Sequence, residues 1–205
     1  MIVIIDYGMG NLGSIVNMLK KIGVVAQVSS DPNIIKQAEK LILPGVGAFD
    51  NGMQSLTERN LIEVLNECVL VRKTPILGLC LGIQLFTRCS EEGTLPGLGW
   101  IEAETIKFQL GSNSEGLKVP HMGWNYIAIQ QESPLFNNMP ALSRFYFVHS
   151  YHLRCQDHAD ILATSDYGYD FPSIIRRENI IGAQFHPEKS HKYGMALLRN
   201  FVEQI

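Results

Sequence analysis

Pro75-Ile-Leu-Gly78-Leu-Cys80-Leu-Gly82-Ile-Gln84 is an apolar run ending in a cysteine set between two glycines. The run has the texture of a strand buried on both faces, and the glycines permit a tight turn into a helix. A strand–turn–helix of this kind is a nucleophile elbow, with the nucleophile on a strained turn and its side chain pushed into the open. Small neighbours let the helix pack close behind the turn. The helix N-terminus favours negative charge on the sulfur, and the Leu81 N–H lies where an oxyanion would develop. Taken alone, the decapeptide reads equally well as a buried strand that happens to end in cysteine.

Upstream, strands and helices alternate. Residues 2–5 are a β-branched run, the first strand. Gly8-x-Gly10-x-x-Gly13 follows, matching GxGxxG letter for letter. No acidic residue closes a second strand about 20 residues on, so the loop reads as a tight turn near a site or an interface rather than a dinucleotide fingerprint. A helix is predicted over 13–23, a strand over 24–29 and a short helix capped by Asp31 ahead of Pro32. A third strand, Leu41–Leu43, runs into Pro44-Gly45-Val46-Gly47, two glycines at a strand's carboxyl end, where open α/β sheets build sites. One long helix is predicted over 52–71. The fold class is therefore α/β: a doubly wound, mostly parallel sheet flanked by helices, with right-handed crossovers. Downstream of residue 95, short strand-like runs at 100–108, 124–129, 145–153, 161–165, 174–177 and 180–185 predict added antiparallel or mixed strands. A mobile hairpin tip is expected at 111–116 and a final helix over 195–202, with Leu197, Leu198 and Phe201 inward.

The 205 residues suit one domain, 1–205, and are 46% hydrophobic and 18% charged with net charge −3. That composition predicts a substantial core and gives no footprint for nucleic acid. No apolar stretch approaches the roughly 18–20 residues that cross a bilayer. The short N-terminal run reads as a strand rather than a signal peptide, so the expected location is cytoplasmic. Cys68, Cys80, Cys89 and Cys155 show no CxxC spacing and fit a reducing compartment.

A reactive cysteine needs a base, and the base an orienter. Among six histidines, His186 stands out in Gln184-Phe-His186-Pro-Glu188-Lys189-Ser190, at the end of an apolar run. In extended chain, positions i and i+2 share a side, so His186 and Glu188 lie together, with Pro187 stiffening the turn. A carboxylate beside an imidazole fixes its tautomer and stabilises its charged form. His186-Pro-Glu188 alone reads as a loop salt bridge; with the elbow it completes a triad of Cys80, His186 and Glu188. His149 and His152 could form a metal pair, but i,i+3 on one strand sends the rings to opposite faces and no third ligand is evident, so no metal or other cofactor is expected. His121 and His158 read as loop or surface residues.

Gly78-Leu-Cys80-Leu-Gly82-Ile-Gln84 together with His186-Pro-Glu188 resembles the class I (triad) glutamine amidotransferases, over the whole chain. Further stretches resemble those members that serve as separate glutaminase subunits: Asp6–Leu12, Pro44–Phe49, Ser90-Glu-Glu-Gly93, Val119-Pro-His-Met-Gly-Trp-Asn125, Phe147–Tyr151 and His186–Ser190. Where other members usually show Pro-Gly-Gly, this chain has Pro44-Gly-Val-Gly47. The resemblance implies that Cys80 attacks the side-chain amide of glutamine, His186 relays the proton and Glu188 orients His186. It implies an oxyanion held by Leu81 N–H and a peptide at Val46 or Gly47, and glutamine held by Gln84, Glu92 and the Ser150–Tyr151 backbone. It also implies a heterodimer with a synthase subunit, a (β/α)8 barrel, facing Asn11, Met122, Trp124 and Lys189.

The chain has no P-loop and no metal set with which to activate an acceptor, and free ammonia near neutral pH protonates. Ammonia must therefore pass directly to a second active site. The acceptor implied first belongs to a synthase making imidazole glycerol phosphate and AICAR in histidine biosynthesis. Tyr167–Ile174 and Ser190–Gly194 instead resemble paralogues that serve an amidotransferase of nucleotide-linked sugars in surface-polysaccharide pathways. Two other classes remain open on the residues: a cysteine or γ-glutamyl hydrolase acting without a partner, against which Gln84 and Glu91-Glu92 weigh, and a non-catalytic subunit, against which the intact triad weighs.

Overall fold

A computed structural model of the chain describes residues 1–111 and 116–205. The expected hairpin tip at 111–116 thus falls mostly outside the described residues. In chain order the elements are β1 (Ile2–Ile5), α1 (Leu12–Lys21), β2 (Ala26–Ser29), α2 (Pro32–Lys36), β3 (Lys40–Gly45), α3 (Phe49–Glu58), α4 (Ile62–Asn66), β4 (Ile76–Cys80), α5 (Leu81–Leu85), β5 (Ala103–Lys107), β6 (His121–Tyr126), β7 (Ala128–Ile129), β8 (Arg144–His149), β9 (Tyr151–Cys155), β10 (Ile161–Asp166), β11 (Asp170–Arg177), β12 (Ile180–Ala183) and α6 (His191–Gln204).

The main sheet has the order β2-β1-β3-β4-β12-β11-β10-β7. Its first five strands are parallel and the last three antiparallel. β1, β4 and β12 are buried along their whole length, which is why they read as continuous apolar runs. One face of the sheet packs against α3, α4 and α5 through Phe49, Leu56, Leu65, Leu81 and Phe86. The other packs against α1 and α6 through Ile15, Leu19, Leu197, Leu198 and Phe201, the last three as expected. The predicted cap forms, with Asp31 Oδ1 accepting the Asn33 N–H, and α1 is capped by Asn11, whose Oδ1 accepts the Ser14 N–H.

Four expectations need correction. The helix predicted over 52–71 is broken: α3 ends at Glu58, Asn60 takes φ +54, α4 follows, and Glu67–Val71 is a π turn. Asparagine is one of the few residues that tolerates the left-handed region, so the break is inexpensive. The run 145–153 is not one strand. It breaks at Ser150 into β8, which pairs with β6, and β9, which pairs with β5. The run 124–129 likewise divides, because β6 begins earlier, at His121, and β7 joins the main sheet. The final helix begins at His191, a turn earlier than predicted.

Candidate active site

The carboxyl ends of β3, β4 and β12 meet at one edge of the parallel sheet, where Gly45 pairs with Cys80 and Ala183 with Leu79. Cys80 closes β4 and has φ +53 and ψ −106, a conformation that L residues adopt only under strain. The turn closes because its neighbours lack side chains. A Cβ at Gly78 would lie 2.5 Å from the Phe86 ring, and one at Gly82 would collide with the Leu43 carbonyl oxygen. A Cβ at Gly45 would collide with the Tyr7 hydroxyl. The elbow is thus held by contacts from Tyr7 in the loop after β1, Leu43 of β3 and Phe86 at the end of α5.

His186 follows β12 and is 3% exposed. Its Nδ1–H donates to Glu188 Oε1 at 2.8 Å, both groups being buried. Ser190 fastens this turn to β8: its Oγ accepts the Tyr146 N–H at 3.0 Å and donates to the His186 carbonyl at 2.6 Å, while the His186 N–H donates to Tyr146 O. Burial pulls the His186 pKa down, but Cys80 and Glu188 outweigh it and push it up to about 9. Its Nε2 and Glu188 Oε2 are buried without an ordinary hydrogen-bond partner. With Nδ1 committed to Glu188, Nε2 is the ring nitrogen left to act on Cys80. Cys80 Sγ also lies 4.0 Å from the Val148 carbonyl oxygen of β8.

A cavity of about 150 Å³ opens on Cys80, lined by Val46, Gly47, Leu81, Gln84, Glu92, Val148, His149, Ser150, Tyr151 and His186. It therefore gathers every residue predicted for the nucleophile, base, oxyanion and substrate contacts, with Glu188 behind His186. A larger hollow of about 460 Å³ beside Ile129, Glu132 and Phe136 contains none of them. Gln84 Nε2 donates to Tyr151 O at 3.0 Å and to Gln184 Oε1 at 3.2 Å. Glu92 Oε2 accepts the Phe49 N–H at 2.9 Å, at the start of α3. Gly47 takes φ +127, open to glycine and strained for other residues.

The predicted partner-facing residues fall on segments that neighbour the cavity lining. Met122 is 62% and Trp124 40% exposed on β6, and Met122 pairs across the ribbon with Val148. Asn11 joins Pro44, Gly45, Val46, His186 and Glu188 around a small crevice. Lys189 Nζ stands 5.7 Å from the centre of the Tyr146 ring.

Sequence reasoning missed Tyr7, Val148 and His149, and misplaced His121 and the His149–His152 pair. Tyr7 is fully buried; burial, and then Cys80, push its phenol far above the ordinary value. Val148 and His149 line the cavity. His121, expected at the surface, is 3% exposed and stacks between Tyr167 and Phe147. The opposite-face expectation for His149 and His152 fails because the strand breaks at Ser150, and both rings pack on Phe108. The signal for His149 was its place two residues before Tyr151; Tyr7 and His121 are buried by segments distant in sequence. Among the described residues, no group of three His, Cys, Asp or Glu stands ready for a metal ion, and no helix is long and apolar enough to cross a membrane.

Residues 3–205 match the family described as glutamine amidotransferase class-I. The chain is 55% identical over 204 residues to "imidazole glycerol phosphate synthase subunit HisH 2" of Methanococcus maripaludis, covering all of both chains. It is 51% identical over 205 residues to the protein of the same description from Pseudomonas aeruginosa, again with full coverage. With "imidazole glycerol phosphate synthase subunit HisH" of Leptospira borgpetersenii the identity is 44%, covering 98% of this chain and 99% of the relative. Among solved structures, one described as a glutamine amidotransferase superposes with TM-score 0.73 at 19% identity, covering 98% and 97% of the two chains. A glutamine amidotransferase from Thermotoga maritima does so with TM-score 0.65 at 16% identity, covering 99% and 82%. These structural likenesses speak to the fold.

Proposed function

Since the chain belongs to the class-I glutamine amidotransferase family, we propose that it is the glutaminase subunit of an imidazole glycerol phosphate synthase, hydrolysing L-glutamine to glutamate and ammonia. One observation carries this reading: Cys80, His186, Gln84, Glu92, Ser150 and Tyr151 surround one cavity, in a chain that full-length relatives so described match at 44–55% identity. Those relatives favour histidine biosynthesis over the sugar pathway.

The chemistry follows from the arrangement. The Cys80 sulfur attacks the side-chain amide carbon of glutamine. The amide oxygen becomes an oxyanion, which Leu81 N–H and a peptide at Val46 or Gly47 receive. His186, held protonated near neutral pH, gives its Nε2 proton to the departing nitrogen, and ammonia leaves a thioester on Cys80. Water then attacks that carbonyl as His186 takes its proton, and glutamate departs. Glu188 holds the His186 ring and its charge throughout. Gln84 and Glu92 orient the substrate with the Ser150–Tyr151 backbone. The step requires no cofactor.

Ammonia is useful only while unprotonated, so it passes through a closed conduit to a synthase subunit. That partner, a (β/α)8 barrel in a cytoplasmic heterodimer, docks on the carboxyl edge at Asn11, Met122, Trp124 and Lys189, with residues 1–205 acting as one domain. The test is glutamate release from glutamine, measured with and without the synthase. Activity rises on adding the partner and disappears in Cys80→Ala; full activity in Cys80→Ala would overturn the triad. Rescue of a histidine auxotroph lacking the subunit tests the acceptor.

A further inference from the structure

We infer that His121 is a positioning residue for the cavity: by donating its Nδ1–H to His149 it fixes the ring that holds the Tyr151 carbonyl at the glutamine site. The inference rests on the reading of that cavity given above. Tyr151 O lies 2.7 Å from His149 Nδ1. A carbonyl only accepts, so His149 carries its proton on Nδ1 and offers a lone pair at Nε2. His121 Nδ1 lies 3.1 Å from that Nε2, so His121 also carries its proton on Nδ1. Its own Nε2 is left as an acceptor, and Asn125 Nδ2 stands 3.4 Å away. Asn125 is fixed in turn: Nδ2 donates to Asp166 O at 2.7 Å, and Oδ1 accepts the Tyr126 N–H. One direction of donation therefore runs from Asn125 through His121 and His149 to Tyr151.

Both rings must be neutral for this order to hold. Burial lowers His121 to about 4 and His149 to about 3, the latter opposed by its bond to Tyr151 and aided by His121, His152 and His186. The rings are also clamped. His121 stacks on Tyr167 at 3.9 Å and on Phe147 at 4.9 Å, and His149 packs on Phe108 at 5.1 Å.

The carbonyl at the end of this relay also accepts from Gln84 Nε2, so His149 and Gln84 hold it jointly. It lies where β8 breaks into β9, one residue past Ser150. Ser150 and Tyr151 meet substrate through their backbone in the proposed reading, so the placement of this segment sets the binding geometry. Cys80, by contrast, is built by β4 and α5. Losing the His121 donor should therefore weaken glutamine binding and leave the chemical step in place.

Nitrogen–proton NMR correlations of the unmodified chain at pH 7 test the relay directly. Both His121 and His149 should be neutral with the proton on Nδ1. A charged ring, or Nε2–H on either, overturns the proposal. His121→Phe keeps a stacked ring and removes the donor. With saturating synthase, its KM for glutamine should rise about tenfold, the equivalent of one modest buried hydrogen bond, while kcat stays within about twofold. His121→Asn, whose amide N–H reaches the Nδ1 position, should restore KM. An unchanged KM in a folded His121→Phe chain, or a fall in kcat alone, overturns the proposal. If His121→Phe fails to fold, the wild-type tautomers decide. If the unmodified chain releases no glutamate, the function proposed above fails while the tautomer measurement still stands.

Discussion

At the scale of single residues, the proposed chemistry turns on one imidazole set between Cys80 and Glu188. Cys80 and Glu188 raise His186 to about 9 despite its burial. A raised histidine stays protonated through neutral pH and loses its proton as pH climbs through that value. The proton delivered to the leaving nitrogen is therefore available until about pH 9, and kcat/KM for glutamine should fall on that basic limb. Glu188→Gln removes one of the two attractions, so the limb should move to lower pH; a limb that stays put would show that Glu188 does not act on His186. His186→Ala removes the acid and base together and should lower kcat about 10²–10⁴-fold in the same assay. The proposed triad was legible because its members sit in short local motifs whose geometry follows from spacing: the elbow for Cys80, and i,i+2 in extended chain for His186 and Glu188; Gln84, Glu92, Ser150 and Tyr151 came from the family resemblance alone. His121 and Tyr7 were not legible, because segments far away in sequence bury them: Phe147 and Tyr167 for His121, Gly45 and Leu81 for Tyr7.

At the scale of elements, the elbow depends on how closely α5 and β3 approach. Gly82 has no room for a methyl group, because the Leu43 carbonyl oxygen belongs to a buried strand and cannot swing aside. Gly82→Ala should therefore destabilise the fold by about 1–3 kcal/mol or more, seen as a lower denaturation midpoint. Gly13 provides the contrast. It lies exposed in α1, a Cβ there meets nothing within 4 Å, and its φ is not positive. Gly13→Ala should stabilise by about 0.4–1 kcal/mol in the same experiment. Equal effects from the two substitutions would mean that packing at the elbow is looser than these distances imply. The elements that sequence patterning missed are those where one backbone angle changes the outcome. Hydrophobic periodicity continues across Asn60 and Ser150, yet the chain breaks its helix at the first and changes strand partners at the second. The parallel half was legible because β1, β3 and β4 are almost wholly buried and bounded by turn residues.

At the scale of the molecule, the cavity and the proposed docking face meet at the β6–β8 ribbon, whose Val148 and His149 line the cavity. Met122, Trp124 and Tyr126 alternate along β6 and share its outer face, 62%, 40% and 51% exposed, and the inner partner of Met122 is Val148 beside Cys80. A partner seated on this face would sit over Val148, beside Cys80, which is where the proposed ammonia conduit has to begin. Trp124 suits the role of anchor because it is already oriented: its ring stacks on His191 at 5.6 Å with an interplanar angle of 5°, and the Arg144 guanidinium lies 5.3 Å from its centre. A held aromatic loses little conformational freedom on docking, and such residues dominate binding energies. Trp124→Ala should thus weaken binding to the synthase by about 2 kcal/mol, roughly 30-fold in Kd, measured by titration calorimetry. Leu142, 74% exposed but in the turn before β8, gives the comparison: Leu142→Ala should leave Kd within about twofold. Should Trp124→Ala bind as tightly as the unmodified chain, the partner does not anchor on β6, and the ammonia outlet must open past a different edge of the cavity.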